Sequence, residues 1–224
     1  MNGVSQSDYL NRLAGHLIVI EGPDGVGRST LMRLLKEWLE DRGFGVVDTG
    51  LTRSRLAGPG IKQAKTGHTL DPITTSLFYA TDFADRVERQ IEPALEAGMI
   101  ALSDRYVYSM ITRASVRGVD REWLESIYRF VPPPDVIIYL DAEPEVLLQR
   151  VINKGGIDFW ESGQDFLGFG DPYQSFIEYQ SRLISEFRAL AVEHKFRTVP
   201  AHGSVSDVFR AALSELQQSS IRAI

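Results

Sequence analysis

The 224-residue chain is 43% hydrophobic, enough for one α/β domain with a buried core and a small lid. Its 24 Lys and Arg against 30 Asp and Glu leave a net charge of −6. That balance argues against a broad nucleic-acid or membrane-surface binder, yet leaves room for a small anionic ligand held by a few placed arginines. With no cysteine, disulfides, thiolate chemistry and cysteine-based zinc sites are excluded together, and the four histidines show no metal-ligand spacing.

In chain order, "MNGVSQSDYLNRLAG" (1–15) reads as an N-terminal extension without the basic start and long apolar segment of a secretory signal. No apolar run approaches the ~20 residues that cross a bilayer, so a cytoplasmic protein is expected. "HLIVIE" (16–21) is the first strand, followed by the glycine-rich "EGPDGVGRST" (21–30). Leu31, Leu34, Leu35, Trp38 and Leu39 then recur at helical spacing, and Gly43 supplies a stop. "FGVVDT" (44–49) is the second strand. The loop 53–68 after it carries Arg53, Arg55, Lys62, Lys65 and His68.

A long helical region runs from Asp71-Pro72 towards Gly98, and "MIALSD" (99–104) is the third strand. Trp123, Leu124, Ile127 and Tyr128 share one face of a helix that "PPPD" ends. "DVIIYLD" (135–141) and "FRTVP" (196–200) complete five strands, with helices over 143–151 and about 173–194 between them. The segment 153–171 is punctuated by glycine yet holds Phe159, Trp160, Phe166 and Phe169, the mark of a lid that closes over a ligand. Nearly continuous apolar strands alternating with helices predict one domain over 1–224, a three-layer α/β fold with a doubly wound, five-stranded parallel sheet and a flexible lid.

The loop after the first strand has the spacing G-x-x-x-x-G-K-[ST], with Arg28 at the lysine position. Gly22, Gly25 and Gly27 allow a tight turn whose amides point at phosphate oxygens, and the following helix adds the positive end of its dipole. Ser29 can offer its hydroxyl to a phosphate-bridging magnesium ion. Arg28 keeps the positive charge but replaces a compact ammonium with a planar fork. Asp104, at the end of the third strand, is placed to reach the metal region, and Arg105 to hold a substrate phosphate. The structural alternatives are a ligand-free glycine turn and a strand-end salt bridge.

"IVIEGPDGVGRST", "LDP" (70–72), "IEPALEAGMIALSDRYVYS" and "PDVIIYLDAEPEVLLQRV" together resemble the thymidylate kinase family over about 200 residues. The resemblance implies a P-loop kinase fold and transfer of the ATP γ-phosphoryl group, with Mg2+, to a nucleoside monophosphate, dTMP by default, in a cytoplasmic homodimer whose partners are small nucleotides. It places Asp24, Arg28, Asp104 and Arg105 in catalysis, and Ser29 and Asp104 at the metal. Gly22, Gly25, Val26, Gly27, Arg28, Ser29, Thr30 and Arg150 fall on the ATP side. Arg53, Tyr79, Phe83, Arg105, Tyr106 and Arg113 fall on the acceptor side.

The chain departs from the family at the loop lysine (Arg28) and at the base-reading arginine four residues after an aromatic, where Phe83 follows Tyr79. It departs again at Ala114 and Ser115, near a polar base contact, and in the lid, where "DFWE" (158–161) lacks an arginine. Arg28, Lys154 or Arg150 can stand in for the lid arginine. These departures leave two other readings: a kinase for a different nucleotide or phosphorylated metabolite, and a catalytically weak nucleotide-binding module.

Overall fold

The computed structural model describes residues 14–67, 70–219 and 221. Most of the expected N-terminal extension, and His68, lie outside the described residues. Five parallel strands form the sheet: β1 (His16–Glu21), β2 (Val46–Gly50), β3 (Ile100–Asp104), β4 (Val136–Asp141) and β5 (Arg197–Pro200). They lie in the order β2-β3-β1-β4-β5. β1 sits at the centre, with Ile18 opposite Leu102 of β3 and Val136 of β4.

Alternation along the strands divides the core in two. Ile18 and Ile20 join Leu102, Ile138 and Leu140 beneath α1 (Arg28–Glu40) on one face. Leu17 and Val19 join Ala101, Ile137 and Tyr139 on the other. Because both faces are covered, each central strand is buried along its length, which is why the strands read as unbroken apolar runs. β2 begins two residues later than its hydrophobic run suggests, because Phe44 packs on the core ahead of the ladder.

Three helices of ten or more residues go beyond the expected set, besides a short one within the lid. α2 (Gly58–Gly67) falls within the basic loop, where Gly58, Pro59 and Gly60 at its start mask it. α5 (Val107–Val116) is rich in β-branched residues but follows β3 directly. The C-terminal helix α10 (Val205–Gln217) starts at Ser204, whose side chain accepts from the Asp207 amide.

The long helical region starts where "LDP" implies. Asp71 caps α3 (Pro72–Arg86) by accepting from the Thr74 amide at 2.9 Å. A π-helical turn, Val87–Ile91, follows, then α4 (Glu92–Glu96), and Gly98 closes the run at φ 72°. α6 (Arg121–Ile127) is capped by Asp120, and α7 (Pro144–Asn153) precedes the lid. The lid contains the short α8 (Gln164–Leu167) and leads into the 22-residue α9 (Pro172–Glu193).

The chain leaves β1 towards β2 on one side and leaves β3 towards β4 on the other. The crevice beyond the carboxyl ends of β1 and β3 is therefore the switch point at which open α/β sheets bind ligands.

Candidate functional site

The loop between β1 and α1 occupies that crevice. Gly22, at φ 147°, passes so close to β4 that a Cβ would lie 2.8 Å from the Leu140 carbonyl oxygen. Gly25, at φ 77°, would carry a Cβ 2.9 Å from Val151. Both positions require glycine for space as well as conformation. The amides of Gly25, Val26 and Gly27 donate to no other group among the described residues, and α1 begins at Arg28 without a side-chain cap. Unpaired donors at a helix start form a cradle for an anion.

Arg28 folds back across this cradle. Its Nε donates to Asp104 Oδ1 at 2.9 Å, and Nη1 donates to the carbonyl oxygens of Gly22 and Pro23. The guanidinium thus joins the loop to the end of β3, a span that a lysine ammonium would meet at a single point.

Asp24 lies beneath it, almost without exposed surface. Its carboxylate accepts from Arg105 and Arg113, with Arg28 3.8 Å away. Burial alone would raise the Asp24 pKa, but the three guanidiniums outweigh burial and hold it well below the usual carboxylate range. Arg113 reaches this point because α5 is anchored at its start. Buried Glu21, at the end of β1, accepts from the amides of Tyr106 at 2.8 Å and Ser109 at 3.1 Å, and from the Ser109 hydroxyl. Desolvation raises the Glu21 pKa despite these bonds.

Ser29 and Asp104 line a second cleft together with Arg53, which pairs with Asp48 at 2.6 Å. Among the described residues, no cluster of three or more His, Asp or Glu could hold a metal by itself. A hydroxyl and a carboxylate beside a phosphate cradle nevertheless suit Mg2+, which keeps several waters and takes few protein oxygens.

Behind Arg113 lies a cavity of about 300 Å³, walled by α2, α3, α5 and the lid. Its lining is mostly apolar and aromatic, with Tyr79, Met110, Tyr128 and Trp160 prominent, and it falls within the range of small-molecule sites. Trp160 closes the mouth by donating its indole N–H to the Lys65 carbonyl oxygen of α2 at 3.0 Å. Lid residue Glu161 faces the Asp24 cluster, and burial, then the Asp24 charge, raise its pKa.

Arg117 latches the lid to the body. It makes bonds of 2.7 and 3.0 Å to Asp165, donates to the Trp160 carbonyl oxygen at 3.2 Å, and bonds the Tyr179 hydroxyl. Its signal in the sequence is its position four residues after Arg113, on the same helical face. Arg117→Ala leaves Asp165 without its cation and is expected to cost about 2 kcal/mol. Amide exchange should speed up across 158–167 while β1 stays protected; unchanged exchange in the lid would refute the latch.

The expected site residues do not all meet at one place. Asp24, Arg28, Ser29, Asp104, Arg105 and Arg113 converge on the crevice. Tyr79 lines the cavity, and Arg53 the neighbouring cleft. Phe83 and Tyr106, expected to contact an acceptor, line neither the cavity nor the cleft. Phe83 is fully buried, with ring centroids 4.8 Å from Tyr106 and 5.9 Å from Tyr128, because one turn beyond Tyr79 the helix has passed the cavity and packs on the sheet. The Tyr106 ring is also fully buried, and its hydroxyl donates to the Pro132 carbonyl oxygen. Arg150 supports the loop from outside by donating to the carbonyl oxygens of Val26 at 3.1 Å and Ala201 at 2.6 Å. Of the three candidates to replace a lid arginine, Arg28 is the one with its charge in the crevice.

Comparison with known proteins follows the same lines. A family model described as thymidylate kinase matches residues 20–207. The chain is 38% identical over 198 residues to "Probable thymidylate kinase 2" of Saccharolobus solfataricus, covering 88% of this chain and 92% of that protein. It is 38% identical over 201 residues to "Probable thymidylate kinase" of Thermococcus onnurineus, covering 85% and 92%. It is 29% identical over 220 residues to "Probable thymidylate kinase" of Thermococcus gammatolerans, covering 94% and 100%.

Proposed function

The chain belongs to the thymidylate kinase family, and from that premise we propose that it is a nucleoside monophosphate kinase that transfers the γ-phosphoryl group of ATP to dTMP, giving dTDP and ADP. The observation that carries this reading is the continuity of the site. The apolar cavity ends at Arg113, Arg113 touches Asp24, and Asp24 lies in the phosphate loop. A nucleoside in the cavity would therefore present its 5′-phosphate to the guanidiniums facing the donor.

The roles follow from position. The amides of Gly25, Val26 and Gly27, with the start of α1, bind donor phosphates. Arg105 and Arg113 exchange part of their hold on Asp24 for the acceptor phosphate, and Arg53 approaches it from the neighbouring cleft. Arg28 spans from the loop to Asp104, where a fork can touch oxygens on both donor and transferred group. The closed lid excludes water from the transfer. Ser29 and Asp104 would hold Mg2+, which when bound neutralises charge on the phosphates. Tyr79 and Trp160 border the space for the base.

A cytoplasmic homodimer completes the reading. It is supported by exposed Ile73 and Leu77 on α3, apolar side chains that a second copy could cover. No helix among the described residues is long and apolar enough to cross a membrane.

A coupled ADP-release assay across a panel of nucleoside and sugar monophosphates, with Mg2+ and ATP, tests the activity. dTMP is expected to give the highest kcat/KM, with solution mass measured alongside. ATP binding without ADP release on any acceptor would instead identify a nucleotide-binding module that has lost catalysis.

A further inference from the structure

Thr52 and Arg105 adopt left-handed backbone, at φ 60° and φ 68°. For a β-branched residue such as Thr52 this conformation is a true outlier, held only where the surrounding structure enforces it. Thr52 directly precedes Arg53, and Arg105 is itself a site arginine. Both turns are held from one turn of α3.

Asp82 Oδ2 accepts from the Thr52 amide at 3.0 Å, and Oδ1 from the Ser54 amide at 3.1 Å, so one carboxylate clamps the backbone on both sides of Arg53. Four residues on, Arg86 Nη2 donates to Ser103 Oγ at 3.2 Å, and Ser103 Oγ donates to the Arg105 carbonyl oxygen at 2.7 Å. Arg86 Nε also donates to Thr49 Oγ1 at 3.1 Å, tying in the end of β2. Asp82 and Arg86 stand 4.0 Å apart with no exposed surface, and neither borders the cavity or the cleft.

A buried ion pair adds little net stability compared with apolar residues of the same shape. What this pair does have is a pair of hydrogen-bonded connections, each ending on the backbone that aims one arginine. We propose that Asp82 and Arg86 are positioning residues, which fix the two strained turns that present Arg53 and Arg105 to the acceptor phosphate. The inference rests on the phosphotransfer reading above. It extends the functional set to two side chains that touch no nucleotide.

The test is steady-state kinetics of Asp82→Asn, alone and on an Arg53→Ala background, with dTMP and ATP varied separately and thermal unfolding measured alongside. Asn preserves shape but weakens the clamp. The dTMP KM should rise about tenfold and kcat should fall, while the ATP KM stays within about twofold. On the Arg53→Ala background the same substitution should change the dTMP KM by less than about twofold, because the group it positions is gone. Equal damage to both KM values, or an undiminished effect without Arg53, overturns the proposal.

Thr52→Gly is the second variant, and it carries the test if Asp82→Asn does not fold. Glycine relieves the strain, so the melting temperature should hold or rise while the dTMP KM rises. A Thr52→Gly protein with wild-type dTMP KM overturns positioning. A wild-type protein without dTMP turnover would overturn the phosphotransfer reading and this inference together, whereas normal wild-type turnover with either failure above overturns positioning alone.

Discussion

Arg28→Ala is expected to lower kcat about a thousandfold while the protein remains folded. Transfer of a phosphoryl group asks little covalent chemistry of a protein; it asks for positive charge fixed around the moving oxygens, and one arginine so placed is worth ~10³–10⁵ in rate. Arg28 is the guanidinium that reaches from the loop to the end of β3, and the lid, with "DFWE" at 158–161, brings no arginine of its own. Its partners suffer little from the truncation, since Asp104 is about a quarter exposed and can be hydrated.

The sharper comparison is Arg28→Lys. If the fork replaces both a loop lysine and a lid arginine, lysine should recover only part of the lost rate, because an ammonium meets one oxygen where a guanidinium meets two. Steady-state rates at saturating dTMP and ATP measure this. A lysine variant as fast as wild type would remove the reason for an arginine at this position.

Asp24→Asn is expected to destabilise the protein by about 3–5 kcal/mol at neutral pH, the usual cost of removing one partner from a buried ionic cluster. Arg28, Arg105 and Arg113 all face this carboxylate, and an amide cannot neutralise them. The pH dependence has a definite sign. The folded-state pKa of Asp24 lies below its unfolded value of about 3.9. Its contribution is therefore complete above pH ~4 and is lost as pH falls towards the folded pKa, where the unfolded chain binds a proton that the native chain does not.

Urea unfolding of wild type and variant should thus show a constant gap from pH 7 to about 5, narrowing below about 4. A gap independent of pH down to 3 would mean that Asp24 does not supply the charge balance.

Much of this arrangement is legible in one dimension. β1, its glycine loop and α1 announce themselves because three different signals meet within 25 residues: an unbroken apolar run, glycines at fixed spacing, and helical periodicity. Asp104 and Arg105 are legible for a related reason, since a polar pair that ends a buried strand must lie at the sheet's carboxyl edge. Phe83 shows the limit. The i,i+4 rule correctly puts it on the same stripe as Tyr79, but only the packed structure reveals that the cavity ends between them.

α2 was hidden by glycines that lower helix propensity without forbidding a helix held by tertiary contacts. The latch from Arg117 to Asp165 joins residues 48 apart, and Asp82 reaches backbone 30 residues away. No local pattern encodes such pairs, because their partners are set by how the lid and helices dock.

The π-helical turn at Val87–Ile91 has a consequence for how this helix can change over time. Phe83, Val87, Ile91 and Leu95 are all buried, at strict intervals of four. In a uniform α-helix each such step advances about 40° around the axis, so three of them would carry Leu95 off the sheet. The wider turn absorbs that drift. Deleting one residue from 87–91 would let a regular α-helix span the stretch with the segment beyond it still facing the sheet, because eleven α-helical steps from Phe83 end within ~20° of its own direction. A variant one residue shorter in this stretch should therefore keep Leu95 on the core, whereas a further inserted residue would turn it away.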